Sequence, residues 1–181
     1  MTFQDKTGAT ITLRPFNNGD IDALTEYANN SKIANNLRDG FPNPYTREAG
    51  VAFLEDANKN PEKQRIFAID LNGEAVGSIG FFLKDGYKRK SAEIGYWLGE
   101  PFWRRGIASK SLLLLTRLAF ETFDILRLYA EPYAQNIGSR RLLEKCGYTY
   151  EGTLRSSVYK NGLIFDSCVY SILKDEVEAL Q

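Results

Sequence analysis

Apolar and polar positions along this chain fall into short blocks whose period switches between two and three to four. Ile11 and Leu13 alternate with Thr10, Thr12 and Arg14 before Pro15, the pattern of a half-buried strand closed by a residue that cannot donate to a ladder. Asp20 predicts the N-cap of a helix through about Tyr27, and Thr46 that of a helix carrying Val51, Phe53 and Leu54. Between them, Asn35 to Tyr45 contains Gly40, Pro42 and Pro44, which predicts an irregular loop of the kind that often walls a substrate site. Ile66 to Ile69 and Val76 to Leu83 read as strands joined by the Asn72-Gly73 turn. A polar loop, Lys84 to Ser91, leads to a further strand, Ala92 to Leu98.

The second half changes period. Ile107, Leu112, Leu115, Leu118 and Ala119 recur on one face of a helix expected over Ser109 to Phe123, which hands the chain to a strand, Leu126 to Ala130. A strand, a crossover helix and a strand make the two strands parallel neighbours or near neighbours, in a sheet that is antiparallel up to that point. Asn136 predicts the N-cap of another helix, ending at Gly147, a natural left-handed C′ residue. Two final strands, Thr149 to Leu154 and Leu163 to Leu173, are joined through Asn161-Gly162. Residues 1–181 show no internal repeat, linker or low-complexity run and are expected to form one mixed α/β domain.

Composition adds mainly exclusions. The 181 residues carry 23 basic and 23 acidic side chains, a balance that gives no electrostatic pull toward nucleic acid or an anionic membrane. No run of about 20 apolar residues occurs, so a spanning helix is not expected. Cys146 and Cys168 cannot make a disulfide framework, and the start Met-Thr-Phe-Gln-Asp-Lys lacks an apolar leader region, so the cytoplasm is the expected location. The chain has no histidine, which rules out Ser-His-Asp and Cys-His nucleophilic schemes and histidine-rich zinc sites. No metal is expected, and acid–base work falls to carboxylate, hydroxyl, phenol, amine or water.

Candidate chemistry concentrates in one turn. Trp103-Arg104-Arg105-Gly106-Ile107-Ala108 separates the strand ending at Leu98 from the following helix, Lys110 lies in the same stretch, and no acidic residue occurs between Glu100 and Glu121. Backbone N–H groups converging at a helix N-terminus, with basic side chains nearby, bind phosphate. The nucleotide patterns G-x-x-x-x-G-K-[ST] and G-x-G-x-x-G are both absent.

What is present resembles the acyl-CoA loop of the GCN5-related N-acetyltransferases (GNAT), Q/R-x-x-G-x-G/A. Trp103 stands where most of that family has Gln or Arg, and an aromatic residue there is similar to the RimJ/RimL branch, which acetylates N-termini of ribosomal proteins. A second match is Asn136-x-x-Ser139 followed by Leu142-Leu-Glu-Lys-Cys-Gly147-Tyr148, where the family places another CoA-contacting helix. The resemblance runs from about residue 10 to about residue 174.

The resemblance implies an acyl-CoA N-acyltransferase fold: α/β, with a mixed, largely antiparallel central sheet, a splayed parallel strand pair and helices on both faces. It implies acetyl-CoA as cosubstrate, with the Leu98 backbone pairing the pantetheine arm beside Trp103. The N–H groups of Arg104, Arg105, Gly106, Ile107, Ala108 and Ser109 would hold the pyrophosphate. The Arg104 and Arg105 side chains either screen those phosphates or form a solvated face. Asn136 and Ser139 either contact the pantetheine arm and the sulfur or merely cap their helix. Glu93 is the candidate general base, directly or through water; the alternative is a solvent-facing or ion-paired carboxylate, with Arg127 a possible partner. Many family members carry a tyrosine acid where this chain has Leu143, which leaves Ser139, water or one of Tyr96, Tyr133, Tyr148 and Tyr170 to meet the thiolate. Asn35, Asn36, Arg38 and Asp166 are candidates for the acceptor wall or ordinary surface residues.

The implied reaction is direct attack of an uncharged amine on the thioester in a ternary complex. An α-amino group, with a pKa near 8, needs less help than a lysine, near 10.4. The expected function is N-acetylation of a protein or peptide α-amino group by a monomer or homodimer. The alternatives are a small-amine enzyme acting on a polyamine, amino acid or aminoglycoside, and a non-catalytic CoA-sensing domain.

Overall fold

The computed structural model describes residues 2–4 and 7–178. Strands β1 (Thr2–Gln4), β2 (Thr10–Arg14), β3 (Gln64–Leu71), β4 (Glu74–Leu83), β5 (Ser91–Leu98), β6 (Arg127–Ala130), β7 (Thr149–Lys160) and β8 (Leu163–Leu173) form one sheet in the order β1-β2-β3-β4-β5-β6-β8-β7. Neighbours are antiparallel except β5 and β6, which are parallel. The helices are α1 (Ile21–Ala28), α2 (Ser31–Ala34), α3 (Arg47–Lys59), α4 (Ile107–Thr122), α5 (Ile137–Lys145) and α6 (Lys174–Glu178). Among the described residues no helix is long and apolar enough to cross a membrane.

Consecutive strand residues feed two separate cores. Ile69, Val76 and Leu98 pack with Leu112 and Leu115 of α4 and Leu143 of α5, whereas their neighbours Ala68, Ala75 and Trp97 pack with Leu24 of α1 and Leu54 of α3. Side chains of a strand alternate between the faces of its sheet, so α1 and α3 cover one face and α4 and α5 the other.

Local chemistry explains where elements begin and end. Asp20 does not cap α1 with its side chain. Asn17 caps a 3-10 turn instead, and Asp20 closes the capping box by accepting from the Asn17 N–H. Thr46 Oγ1 does cap α3, accepting from Ala49 N–H at 3.3 Å, although Val51 of that helix is exposed. Helix α4 starts at Ile107, earlier than its polar pattern suggests, because Gly106 takes the N-cap in the left-handed region at φ 85°. Leu118 on that helix is half-buried rather than core. Helix α5 ends in a Schellman motif, with Gly147 N–H on the Glu144 carbonyl at 3.1 Å and Tyr148 N–H on that of Leu143 at 3.0 Å. Strand β7 runs to Lys160, well past Leu154, because register shifts at Tyr150/Gly152 and Leu154/Val158 break the period of two by which strands are recognised.

One irregularity organises the rest. The parallel pair holds for Ser91↔Arg127, Ala92↔Leu128 and Glu93↔Tyr129, and then β5 and β6 part. Strand β5 continues to Leu98 while β6 stops at Ala130, leaving a gap in the middle of the sheet.

Candidate active site

Beside the gap, on the α4 and α5 face, lies a cleft of about 810 Å³. Its floor is the turn before α4. Arg104 (φ 63°) and Gly106 (φ 85°) both adopt left-handed backbone there. The first intrahelical bond is Lys110 N–H to the Gly106 carbonyl at 3.1 Å, and no side chain caps the helix. The N–H groups of Ile107, Ala108 and Ser109 precede that bond and have no carbonyl of the helix to meet. All three residues line the cleft, as do Leu98, Trp103 and Arg104. The arginines separate. Arg104 lines the cleft, whereas Arg105 donates to Thr7 Oγ1 at 3.3 Å and lies over the Phe102 ring at 5.9 Å. Lys110 likewise turns to the N-terminal strand, bonding the Gln4 carbonyl and sitting over Phe3. Of these three basic residues, Arg104 is the one that lines the cleft. The Trp103 indole N–H donates to the Leu98 carbonyl at 2.7 Å, so that carbonyl already uses one of its two acceptor positions.

On the α1 and α3 face a second cavity, about 520 Å³, is walled by Phe41, Phe53, Phe82 and Tyr133 and holds Arg38, Lys84, Glu93 and Glu131. Asn36, Leu37, Tyr96, Trp97, Asn136 and Ser139 line both spaces. The cleft and the cavity therefore meet where β5 and β6 splay.

Glu93 is nearly buried and is neither free nor paired with Arg127. Lys84 Nζ donates to Oε2 at 2.6 Å and Arg38 to Oε1. Arg127 instead forks onto Glu151. Burial disfavours the Lys84 charge, but Glu93 more than offsets it and the ammonium is held above its ordinary pKa. Three residues apart, Glu93 and Tyr96 lie on opposite faces of β5. The Tyr96 hydroxyl lies 2.7 Å from Ser139 Oγ. Burial drives its phenol far above the ordinary value, with Ser139 a partial offset, so Tyr96 stays protonated over the working pH range. Asn136 Oδ1 accepts from Ser139 N–H at 3.1 Å, fixing the start of α5.

The remaining candidates divide. Tyr133 bonds the Leu37 carbonyl, Tyr148 bonds Thr116, and Tyr170 bonds Glu144 and Arg140. Asn36 and Arg38 line the second cavity, whereas Asn35 accepts from Asn161 and Asp166 accepts from Ser156 N–H. Leu143 is fully buried core. Burial pushes the Cys146 thiol up to about 11, which leaves it a poor nucleophile. Sequence reading missed Lys84 as a partner of Glu93. The hairpin register, Phe82↔Glu93, is the signal that would have put Lys84 on the same face one step along.

The family model described as "Acetyltransferase (GNAT) domain" matches residues 10–149. YoaA of Bacillus subtilis (strain 168), named an uncharacterized N-acetyltransferase, is 39% identical over 101 residues, 56% of this chain and 56% of YoaA. That alignment thus spans little more than half of the relative's length. The ribosomal-protein-serine acetyltransferase of Escherichia coli (strain K12) is 28% identical over 111 residues, 61% of this chain and 62% of that one. Two solved structures share the fold. RimL, a ribosomal L7/L12 alpha-N-protein acetyltransferase in complex with coenzyme A, superposes with a TM-score of 0.82 at 24% identity, over 92% of this chain and 95% of that one. A Vibrio cholerae spermidine N-acetyltransferase in complex with CoA and spermine gives 0.75 at 21% identity, over 93% and 98%.

Proposed function

The chain belongs to the GNAT acetyltransferase family, and from that membership we propose that it transfers the acetyl group of acetyl-CoA directly to a primary amine, the α-amino group of a protein or peptide. The observation that carries this reading is the meeting of the two spaces through the sheet. A cleft with a helix N-terminus at its floor and a cavity with a buried carboxylate share the Tyr96, Asn136 and Ser139 walls. The cleft fits the cosubstrate on this chain's own geometry. Uncapped N–H groups at Ile107 to Ser109 suit a pyrophosphate, and the β6-facing edge of β5 from Ile94 toward Leu98, which β6 leaves open, suits the amides of a pantetheine arm.

The residues then divide the labour. Attack by the amine nitrogen forms the C–N bond, expulsion of sulfur breaks the C–S bond, and one proton must leave the nitrogen. Glu93 takes that proton directly or through water. Ser139, its hydroxyl oriented by Tyr96, donates a hydrogen bond toward the developing charge at the thioester. It need not surrender its proton. A thiol with a pKa near 8.5 recovers one from solvent at neutral pH.

Proton bookkeeping favours an α-amino acceptor. Both Glu93 oxygens already accept from cations, so the site suits a nucleophile needing little help. At pH 7 about a tenth of an α-amino group is already uncharged, against well under a thousandth of a lysine. The ribosomal-protein-serine acetyltransferase among the sequence relatives supports a protein acceptor. The test is release of free CoA from acetyl-CoA with a panel of N-terminal peptides and small amines, with Gly106→Val as the control. A valine resists the left-handed φ and crowds the phosphate path, so binding of acetyl-CoA is lost. Release of no CoA with any amine, despite tight acetyl-CoA binding, would favour a sensing domain.

A further inference from the structure

An ammonium approaching Glu93 competes with two cations already bound there. They differ in how readily they leave. The Lys84 side chain is 29% exposed and that of Arg38 71%, and an exposed ion pair contributes little to stability. The backbone under Arg38 is nonetheless pinned. The Leu37 carbonyl accepts from the Tyr133 hydroxyl at 3.1 Å and from Lys160 Nζ at 2.5 Å, and Lys160 also faces Asp39 at 3.4 Å. Arg38 is thus a long, exposed cation on a fixed base at the mouth of the second cavity.

Resting on the acyl-transfer reading above, we propose that the acceptor is the α-amino terminus of an acidic peptide, and that Arg38 exchanges Glu93 for the peptide's nearby carboxylate as the amine arrives. The exchange conserves charge pairing: the ammonium replaces the guanidinium at Glu93, and the guanidinium gains a new anion. Lys84 stays, so the carboxylate is never without a partner. An acceptor with extra positive charge upsets this balance. Its further ammonium groups would face Lys84 and a displaced Arg38, and Glu131 is the one other carboxylate among the residues lining the cavity. Like charges brought together in a half-enclosed space repel strongly, which makes this arrangement a device for rejecting polycations.

The experiment measures kcat/KM for peptides identical except at positions two and three (Asp-Glu, Ala-Ala or Lys-Lys), for free glutamate and for spermidine, with the native chain, Arg38→Met and Arg38→Glu. The acidic peptide should exceed the alanine peptide about tenfold, the size of one charge-assisted hydrogen bond, with the lysine peptide and spermidine below both. Arg38→Met should level the acidic and alanine peptides, and Arg38→Glu should invert the order. The changes should fall in the acceptor KM and leave the acetyl-CoA KM unmoved. Preference for the lysine peptide or spermidine, or an acid preference that survives Arg38→Glu, would overturn the proposal. Faster turnover of free glutamate than of the acidic peptide would overturn the peptide assignment. Turnover in the wrong charge order refutes this inference alone, whereas absence of turnover with every amine refutes acyl transfer and this inference with it.

Discussion

Arg14 and Glu93 each stand at the centre of a three-residue charge cluster, one wedged between secondary-structure elements and the other on a cavity wall. Arg14 forks onto both oxygens of Asp20 at 2.7 and 2.8 Å and reaches Asp70 at 2.7 Å. Its partners have further fixed bonds. Asp20 accepts from Asn17 N–H and Asp70 from Gly73 N–H, so the cluster staples β2, the turn before α1 and the β3–β4 hairpin. Glu93 has the inverse composition, one carboxylate between two cations, and one of those cations is an exposed arginine on a loop. The first cluster has every oxygen accounted for and lies outside the lining of either cavity. The second has an exchangeable member. Carboxylates and cations thus serve rigidity in one place and, on the proposed function, chemistry in the other, and the distinction lies in what else each partner is tied to.

Four substitutions or conditions sharpen that contrast. Asp20→Ala should cost the most, about 2–3 kcal/mol of unfolding free energy in urea, because it removes two charged hydrogen bonds from a half-buried guanidinium, leaving it Asp70, and takes the acceptor from Asn17 N–H. Acetyl transfer per folded molecule should be unchanged. Glu93→Gln should show the converse. Turnover should fall by roughly 10²-fold, the typical worth of a positioned base, while the melting temperature falls less than for Asp20→Ala, since the Arg38 pair is largely exposed and the amide still accepts a hydrogen bond from Lys84. That deficit should shrink in rate measurements from pH 7 toward 9, as more of the acceptor amine is uncharged without assistance.

Acid should act through the first cluster. Burial alone would raise the Asp20 carboxyl, but the Arg14 and Asn17 bonds outweigh it and hold it below its ordinary value. A depressed carboxyl contributes stability that is fully present above the unfolded pKa, near 3.9, and is lost as pH falls through the folded value. Urea midpoints of the native chain and Asp20→Asn should therefore converge below about pH 4 and stay apart at pH 6. Smallest of all, Arg104→Gly should relieve the left-handed strain at φ 63° and raise stability by up to about 1 kcal/mol. The same change should weaken acetyl-CoA binding by an amount that fades at high salt.

Legibility in the sequence followed the range of the interactions. The Gly106 turn, the Asn136 cap and the Gly147 stop are fixed by neighbours within a few residues, and the pattern exposed them. The partners of Glu93 and Ser139 are fixed by the sheet. Arg38 meets Glu93 across 55 positions and Tyr96 meets Ser139 across 43, and no local period encodes either meeting. Asp20 illustrates the failure most clearly. Its type and position fit a helix cap, yet its side chain is spent on Arg14, a partner that only the packing of β2 against the turn supplies.

On the proposed function, cosubstrate and acceptor occupy two spaces joined through the β5–β6 gap and react without a covalent enzyme intermediate. Initial rates with acetyl-CoA and an N-terminal peptide, each varied at several fixed concentrations of the other, test it most directly. Direct transfer gives intersecting double-reciprocal lines, the pattern of a ternary complex, and a product mass increased by one acetyl group at the α-nitrogen. Parallel lines together with an acetylated enzyme would contradict it.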